Sequence, residues 1–291
     1  MDHDGPVRLG LSPFASSRAG VEALAALGVQ GGIDTLWLGD GLLHNPDFPT
    51  WSGAMEPVTE LAWLAGRFPT ARLGLSAAVL PLRDVTWLAK QAMTLDHVSD
   101  GRFVLAVAPG FWAAESAARG LDHAERGVRF DDGLDGLVAA FAGEAHDGPF
   151  VHVPAALAPG PSTAGGPPIW LAGARATMDR ALDRGLPFQA SRLSPDDLAP
   201  LARLWWDGGG GLLGVRIRIG LDRVASRADG VDWQALTGPV DFLATELARY
   251  ADLRVADVSL IPGQDDRSSR AAVEALGEYV VPTLTTAGLL G

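Results

Sequence analysis

Asp40 and His44 lie just beyond "DTLWLG", a short apolar run that reads as a strand, and are the side chains here most suited to proton chemistry. A carboxylate and an imidazole at a strand end could pass a proton to and from a bound molecule. The imidazole is the one group there that ordinarily titrates near neutrality. Asn45 follows in the same loop, Glu56 stands where a second helix begins, and Trp112 and Glu115 lie in "APGFWAAE". Structural readings stand beside these: Asp40 could brace a loop, Glu115 could favour a helix N-terminus through its dipole, and Trp112 could be core. A further stretch, "PPIWLAGARATMDRALDRG", runs from a strand ending in Ala172 and Gly173 within a few residues into a helix at Ala176 and Thr177. Backbone N–H groups at that helix start could receive a phosphate, or the turn could simply need its glycine.

Other chemistries fit poorly. The chain has no Cys, which excludes thiolate nucleophiles, disulfides and cysteine metal sites. Its 6 His are scattered, with no H-E-x-x-H pair, so no metal site is expected. "GLSAA" at Gly74–Ala78 imitates a nucleophile elbow, but Val79, Leu80 and Pro81 continue the strand where a helix should start, and no His follows His152. "DGGGGLLG" at 207–214 follows a helix and precedes a strand, the reverse of a phosphate loop, and reads as a helix exit.

The elements that must position these groups alternate in type. Strands are expected at Val7 to Leu11, Thr35 to Leu38, Arg72 to Val79, Phe103 to Ala108, Ile169 to Ala172, Pro187 to Ala190, Val215 to Ile219 and Ala256 to Ile261. Helices fall between them at Ser17 to Leu27, Pro57 to Arg67, Val85 to Val98, Phe130 to Ala142, Ala176 to Arg184, Pro195 to Trp205, Asp241 to Ala251 and Arg270 to Thr283. Asp84 is placed to cap the third helix, whose Val85, Leu88, Ala89, Ala92 and Leu95 recur on one face. This alternation predicts an α/β fold, a (β/α)8 TIM barrel, as a single domain over 1–291. Residues 144–167, rich in Pro and Gly, form an expected insertion before strand five, with a short hairpin near Val151 and Val153. In such barrels the working groups sit at the carboxyl ends of the strands.

The formal net charge of −12 argues against nucleic acid and anionic membranes as partners, since both are bound through clustered Lys and Arg. No basic segment followed by an apolar stretch opens the chain and no 18 apolar residues run together, so a cytoplasmic location is expected.

The blocks "LWLGD", "RLGLSAAVLPLRDVTWLAKQAMTLDHVSDGRFVLAVAPGFWAAE", "ERGVRFDDGLDGLVAAF", "HDGPF", "PPIWLAGA" and "EYVVPTL" resemble the luciferase-like flavin and deazaflavin oxidoreductases over nearly the whole chain. The resemblance implies the same barrel. It implies a flat cofactor ring laid against strand three, backed by the small residues Ser76, Ala77 and Ala78, with a cis peptide at Ser76-Ala77 or one residue later. It also implies that Gly110, Gly173, Ala174, Arg175 and Arg126 contribute to cofactor binding, and that Asp40 and His44 are the catalytic candidates. Departures accompany it. Gly41 stands where many relatives have His, Pro109 where some flavin-dependent members have a phosphate-holding Arg, and Leu186-Pro187-Phe188 within a "GDGW" position.

The function implied is an oxidoreductase passing a hydride to or from a small organic substrate with coenzyme F420. The alternatives are an FMN-dependent monooxygenase supplied by a partner flavin reductase, and a non-catalytic flavin-binding paralogue. A homodimer through the second and third helices, with Trp63 and Trp87 at the contact or else in the core, is expected by the same likeness.

Overall fold

The computed structural model describes residues 5–44, 55–222, 227–228, 231–232 and 235–290. Eight parallel strands form a closed barrel surrounded by helices, a TIM barrel. They are β1 (Arg8–Leu11), β2 (Thr35–Leu38), β3 (Arg72–Val79), β4 (Phe103–Ala108), β5 (Ile169–Gly173), β6 (Phe188–Ser191), β7 (Leu213–Gly220) and β8 (Asp257–Pro262). They follow one another in chain order, and β8 pairs with β1. A short strand, Ala235–Thr237, pairs alongside the end of β7. The principal helices are α1 (Arg18–Gln30), α2 (Pro57–Arg67), α3 (Val85–Val98), α4 (Ala113–Ala118), α5 (Arg126–Ala142), α6 (Arg175–Arg184), α7 (Pro195–Asp207), α8 (Val240–Asp252), α9 (Asp266–Ala275) and α10 (Val281–Thr286).

Local chemistry explains most of these boundaries. The Ser17, Glu56, Asp84, Ser194 and Asp265 side chains accept first-turn N–H groups and start α1, α2, α3, α7 and α9. The capping box of Asp265 with Ser268 starts the closing helical region four residues before the expected Arg270. That region is also not one helix: a π-helical turn, Leu276–Val280, separates α9 from α10, where Pro282 has no N–H to donate. Helix α4 was not anticipated, and α5 starts at Arg126 rather than Phe130. The glycines after α7 wrap its last turn: Trp205 Nε1 donates to the Gly211 carbonyl at 3.0 Å, and a Cβ on Gly210 would lie 2.2 Å from the indole. That run is therefore a helix exit.

The chain divides into two compact units, one comprising the chain up to Leu38, His44 and the chain from Trp170 onward, the other Gly39–Leu43 and Met55–Ile169. In the second unit the expected insertion is a strap fastened to α3 and α5. Buried Asp96 accepts from Thr163 N at 2.6 Å and Thr163 Oγ1 at 2.7 Å, and His97 Nε2 meets the Gly160 carbonyl at 2.8 Å. Asp132 of α5 holds His146 Nε2 at 2.8 Å and the Phe150 N–H at 2.7 Å. The expected hairpin is present as His146–Asp147 paired antiparallel with His152–Val153. Trp87 is 62% exposed on α3, so the core reading fails for it, whereas Trp63 is half-buried.

Candidate active site

In the unit containing β3 and β4, Arg83 organises the strand ends. Asp40, two residues beyond the end of β2, accepts Arg83 Nε at 2.8 Å on Oδ2 and Arg83 Nη2 at 2.7 Å on Oδ1. Asp40 Oδ2 also takes the Val79 N–H at 2.9 Å, fixing the last residue of β3. Glu56 receives the same guanidinium through Nη1 and Nη2 at 3.0 Å, while its other oxygen caps α2 at the Thr59 N–H. Two-pronged pairing of this kind fixes direction as well as distance. Burial works to lower the Arg83 pKa, but hydrogen bonding and charge from Asp40, then Glu56, outweigh it and raise the value above its ordinary level. The Asp40 carboxylate thus sits among three N–H donors, which suits a positioning role more than proton transfer.

For Glu56, burial pushes the pKa up, but the N–H and hydroxyl of Thr59 and the charge of Arg83 prevail and hold it below 4.5. The folded chain therefore binds this proton less tightly than the unfolded chain. Its contribution is present above pH 4.5 and is lost as pH falls through the folded value. Because the side chain is 45% exposed, the effect is under about 1 kcal/mol. Melting curves from pH 7 down to pH 3 should show the gap between wild type and Glu56→Gln closing at the acid end.

Strand β3 is irregular where its side chains are small. Its register against β4 shifts between Leu75 and Ala78, and the Ser76-Ala77 peptide bond is cis, at the position implied by the resemblance. Ser76 and Ala78 are buried, and Ala77 between them is partly exposed. Gly110, after β4, has φ +80, and a Cβ there would meet Val79 Cγ1 at 2.7 Å, so the turn closes tightly over the end of β3. Glu115 is buried and draws in the loop after β2, accepting Leu42 N at 2.6 Å and Leu43 N at 3.2 Å. Trp112 is half-buried at the start of α4. Arg126 donates to the His123 carbonyl at 2.9 Å, at the entrance of α5.

In the other unit, β5 leads into α6 through Gly173 and Ala174. A Cβ on Gly173 would lie 2.6 Å from Thr177 Oγ1, so only glycine lets the strand end pass so close to α6. Ala174 supplies no side-chain cap and the first turn of α6 holds no acid, features compatible with an anion at that helix start. The Arg175 side chain lies along the helix instead, with Nε 2.7 Å from Asp179 Oδ1. His44 is exposed, and Asn45 lies outside the described residues.

The same unit contains basic groups that sequence reasoning missed. Arg216 and Arg218 alternate along β7 in "RIRIG", both more than nine-tenths buried. Arg192, after β6, donates its backbone N–H to the Arg216 carbonyl at 2.7 Å. A cavity of about 490 Å³ in this unit, lined by Val7, Val255, Leu289 and Leu290, belongs to the amino end of β1 and lies away from these groups. Among the described residues no cluster of three or more His, Cys, Asp or Glu could hold a metal. No described helix is long and apolar enough to cross a membrane.

The family model described as luciferase-like monooxygenase matches residues 8–205. The chain belongs to this family. A relative, the oxygenase component of the flavin-dependent trigonelline monooxygenase of Acinetobacter baylyi, is 29% identical over 153 residues, which is 51% of this chain and 41% of that protein. The chain thus spans less than half the length of the curated relatives it matches. Three solved structures share the fold. Monooxygenase RslO1 from Streptomyces bottropensis has a TM-score of 0.79 at 18% identity, covering 95% of this chain and 99% of that one. The FMN-bound oxygenating constituent of 3,6-diketocamphane monooxygenase from Pseudomonas putida gives 0.73 at 15%, covering 97% and 99%. An F420-dependent secondary alcohol dehydrogenase gives 0.76 at 13%, covering 96% and 99%.

Proposed function

We propose that this luciferase-like protein is an oxidoreductase that binds coenzyme F420 at the carboxyl ends of its strands and acts on a small organic substrate. One observation carries the reading: in a chain of this family, β3 is bulged at Ser76, Ala77 and Ala78, where small side chains leave a flat molecule something to rest on. Gly110 keeps the neighbouring turn drawn in. In the other unit, the uncapped start of α6 at Ala174 and Arg175 is by itself a candidate anion site. When bound, the cofactor supplies the hydride chemistry. The chain's own residues orient it and limit water, with Arg83 and Asp40 holding the β3 end in place and His44 the candidate proton donor.

F420 is favoured over FMN because Pro109 stands where some flavin-dependent members place a phosphate-holding Arg. The second reading, an FMN-dependent monooxygenase fed by a separate reductase, draws its support from the flavin-dependent relative. Titrating the purified protein with F420 and with FMN, oxidised and reduced, while following cofactor fluorescence separates the two. Tighter quenching of F420 is expected; tighter FMN binding would reverse the cofactor, and no binding of either would overturn the proposal. Exposed Trp87 on α3 suits the proposed homodimer contact.

A further inference from the structure

The inner face of β7 carries positive charge where a barrel of this kind ordinarily packs branched apolar side chains. Arg216 and Arg218 fall at alternate positions of β7, so both point to the same side of the sheet. Val215, Ile217 and Ile219 occupy the other side. The register places Ser259 of β8 beside Arg216 and Ile261 beside Arg218, with Gly10 of β1 beside Ser259. Arg216 Nη2 donates to Ser12 Oγ at 3.1 Å, its guanidinium stands 5.6 Å from the Phe14 ring centre, and Arg218 Nη1 donates to the Gly263 carbonyl. Ser12 and Gly263 directly follow β1 and β8, so both arginines reach toward the carboxyl ends of the strands.

Neither arginine forms an ion pair with an acid among the described residues; Asp257, on the same face of β8, sits lower, beside Gly214. Two buried cations on one strand face, without a carboxylate between them, oppose folding unless an anion is bound in use. Burial, then the charge of Arg218, lowers the Arg216 pKa to about 9, and burial lowers that of Arg218 to about 10. The Arg192 pKa is also pushed well down, by burial and then by Arg216 and Arg218. A second observation points the same way. Ser259 Oγ and Trp37 Nε1 in this unit are fully buried with no hydrogen-bond partner among the described residues. Buried donors left in this state call for a ligand or water.

We propose that Arg216 and Arg218 bind the anionic group, a carboxylate or sulfonate, of an organic-acid substrate, with Ser259 and Ser12 as neighbouring hydroxyl donors. The proposal rests on the oxidoreductase reading above only for the word substrate; the anion site can be assayed without any cofactor. Paired guanidinium groups match the two oxygens of a planar carboxylate or two of the three oxygens of a tetrahedral sulfonate, and their specificity would be against neutral analogues, which would leave the charges unanswered.

The test uses the purified full chain with sodium benzoate and benzenesulfonate as probes and benzamide as the neutral control, read by isothermal titration and thermal shift. The anions should bind and raise the melting temperature, and benzamide should do neither. In Arg218→Met and in Arg216→Gln the anion affinity should fall at least tenfold, while F420 and FMN quenching change less than threefold. Equal affinity for benzoate and benzamide, or anion affinity unchanged in both variants, overturns the proposal. Loss of cofactor affinity in these variants, with anion binding intact, would assign the cluster to the cofactor's own phosphate or carboxylates and also overturn it. Wild type that binds the anions but neither cofactor would sink the proposed function and leave the anion site standing.

Discussion

Replacing Arg83 by methionine is expected to destabilise the protein by about 3–5 kcal/mol, the cost of breaking a buried ion pair on one side. The reason lies in what remains. The Asp40 side chain is only 9% exposed and would lose both guanidinium bonds, keeping the Val79 N–H as its single donor in this group. Glu56 would lose its two bonds to Arg83 as well, but it is far more exposed and can be resolvated at small cost. Urea unfolding followed by tryptophan fluorescence measures the change. Adding Asp40→Asn to the Arg83→Met background should recover part of the loss, because it removes the stranded charge. A loss below about 1 kcal/mol for the single variant would mean that water reaches Asp40 freely and that it does not tie the strand end.

Ala77→Leu is expected to weaken cofactor binding at least 100-fold, about 2.7 kcal/mol, while leaving the melting temperature within a few degrees. Ala77 is the partly exposed member of the three small residues at the bulge, so a larger side chain can extend outward without displacing core. Ala78, fully buried, would not tolerate such a change. Fluorescence titration with F420 or FMN gives the affinity, and calorimetry gives the stability. If the variant bound either cofactor as tightly as wild type, the bulge would not be its resting place.

Much of the barrel was legible because strands buried on both faces read as short apolar runs, and β2 and β4 carry almost nothing else. Boundaries slipped where glycines extend a strand, as at Gly214 and Gly220 of β7, since their pairing is decided by neighbouring strands. The break between α9 and α10 escaped notice because a π turn leaves the helical pattern almost unchanged. Among the site residues, the irregularity at Ser76-Ala77 was placed through family likeness; side-chain sizes alone indicated only a thin strand. Arg83 was passed over inside a familiar-looking block, and its role depends on Asp40 and Glu56, which are distant in the chain. Arg216 and Arg218 were missed for another reason. Alternating charge in a strand ordinarily signals a solvent face, but a closed barrel covered by helices has none, and "RIRIG" at that position was the available clue.

The strap across α3 and α5 also suggests a practical use. It is pinned at Asp96 and Asp132, and between these anchors Pro154, Ala155 and Ala156 are open to solvent. Since the polypeptide contains no thiol of its own, Ala155→Cys would create a unique attachment point for a dye or spin label. Signals from it would report events elsewhere in the molecule without background labelling.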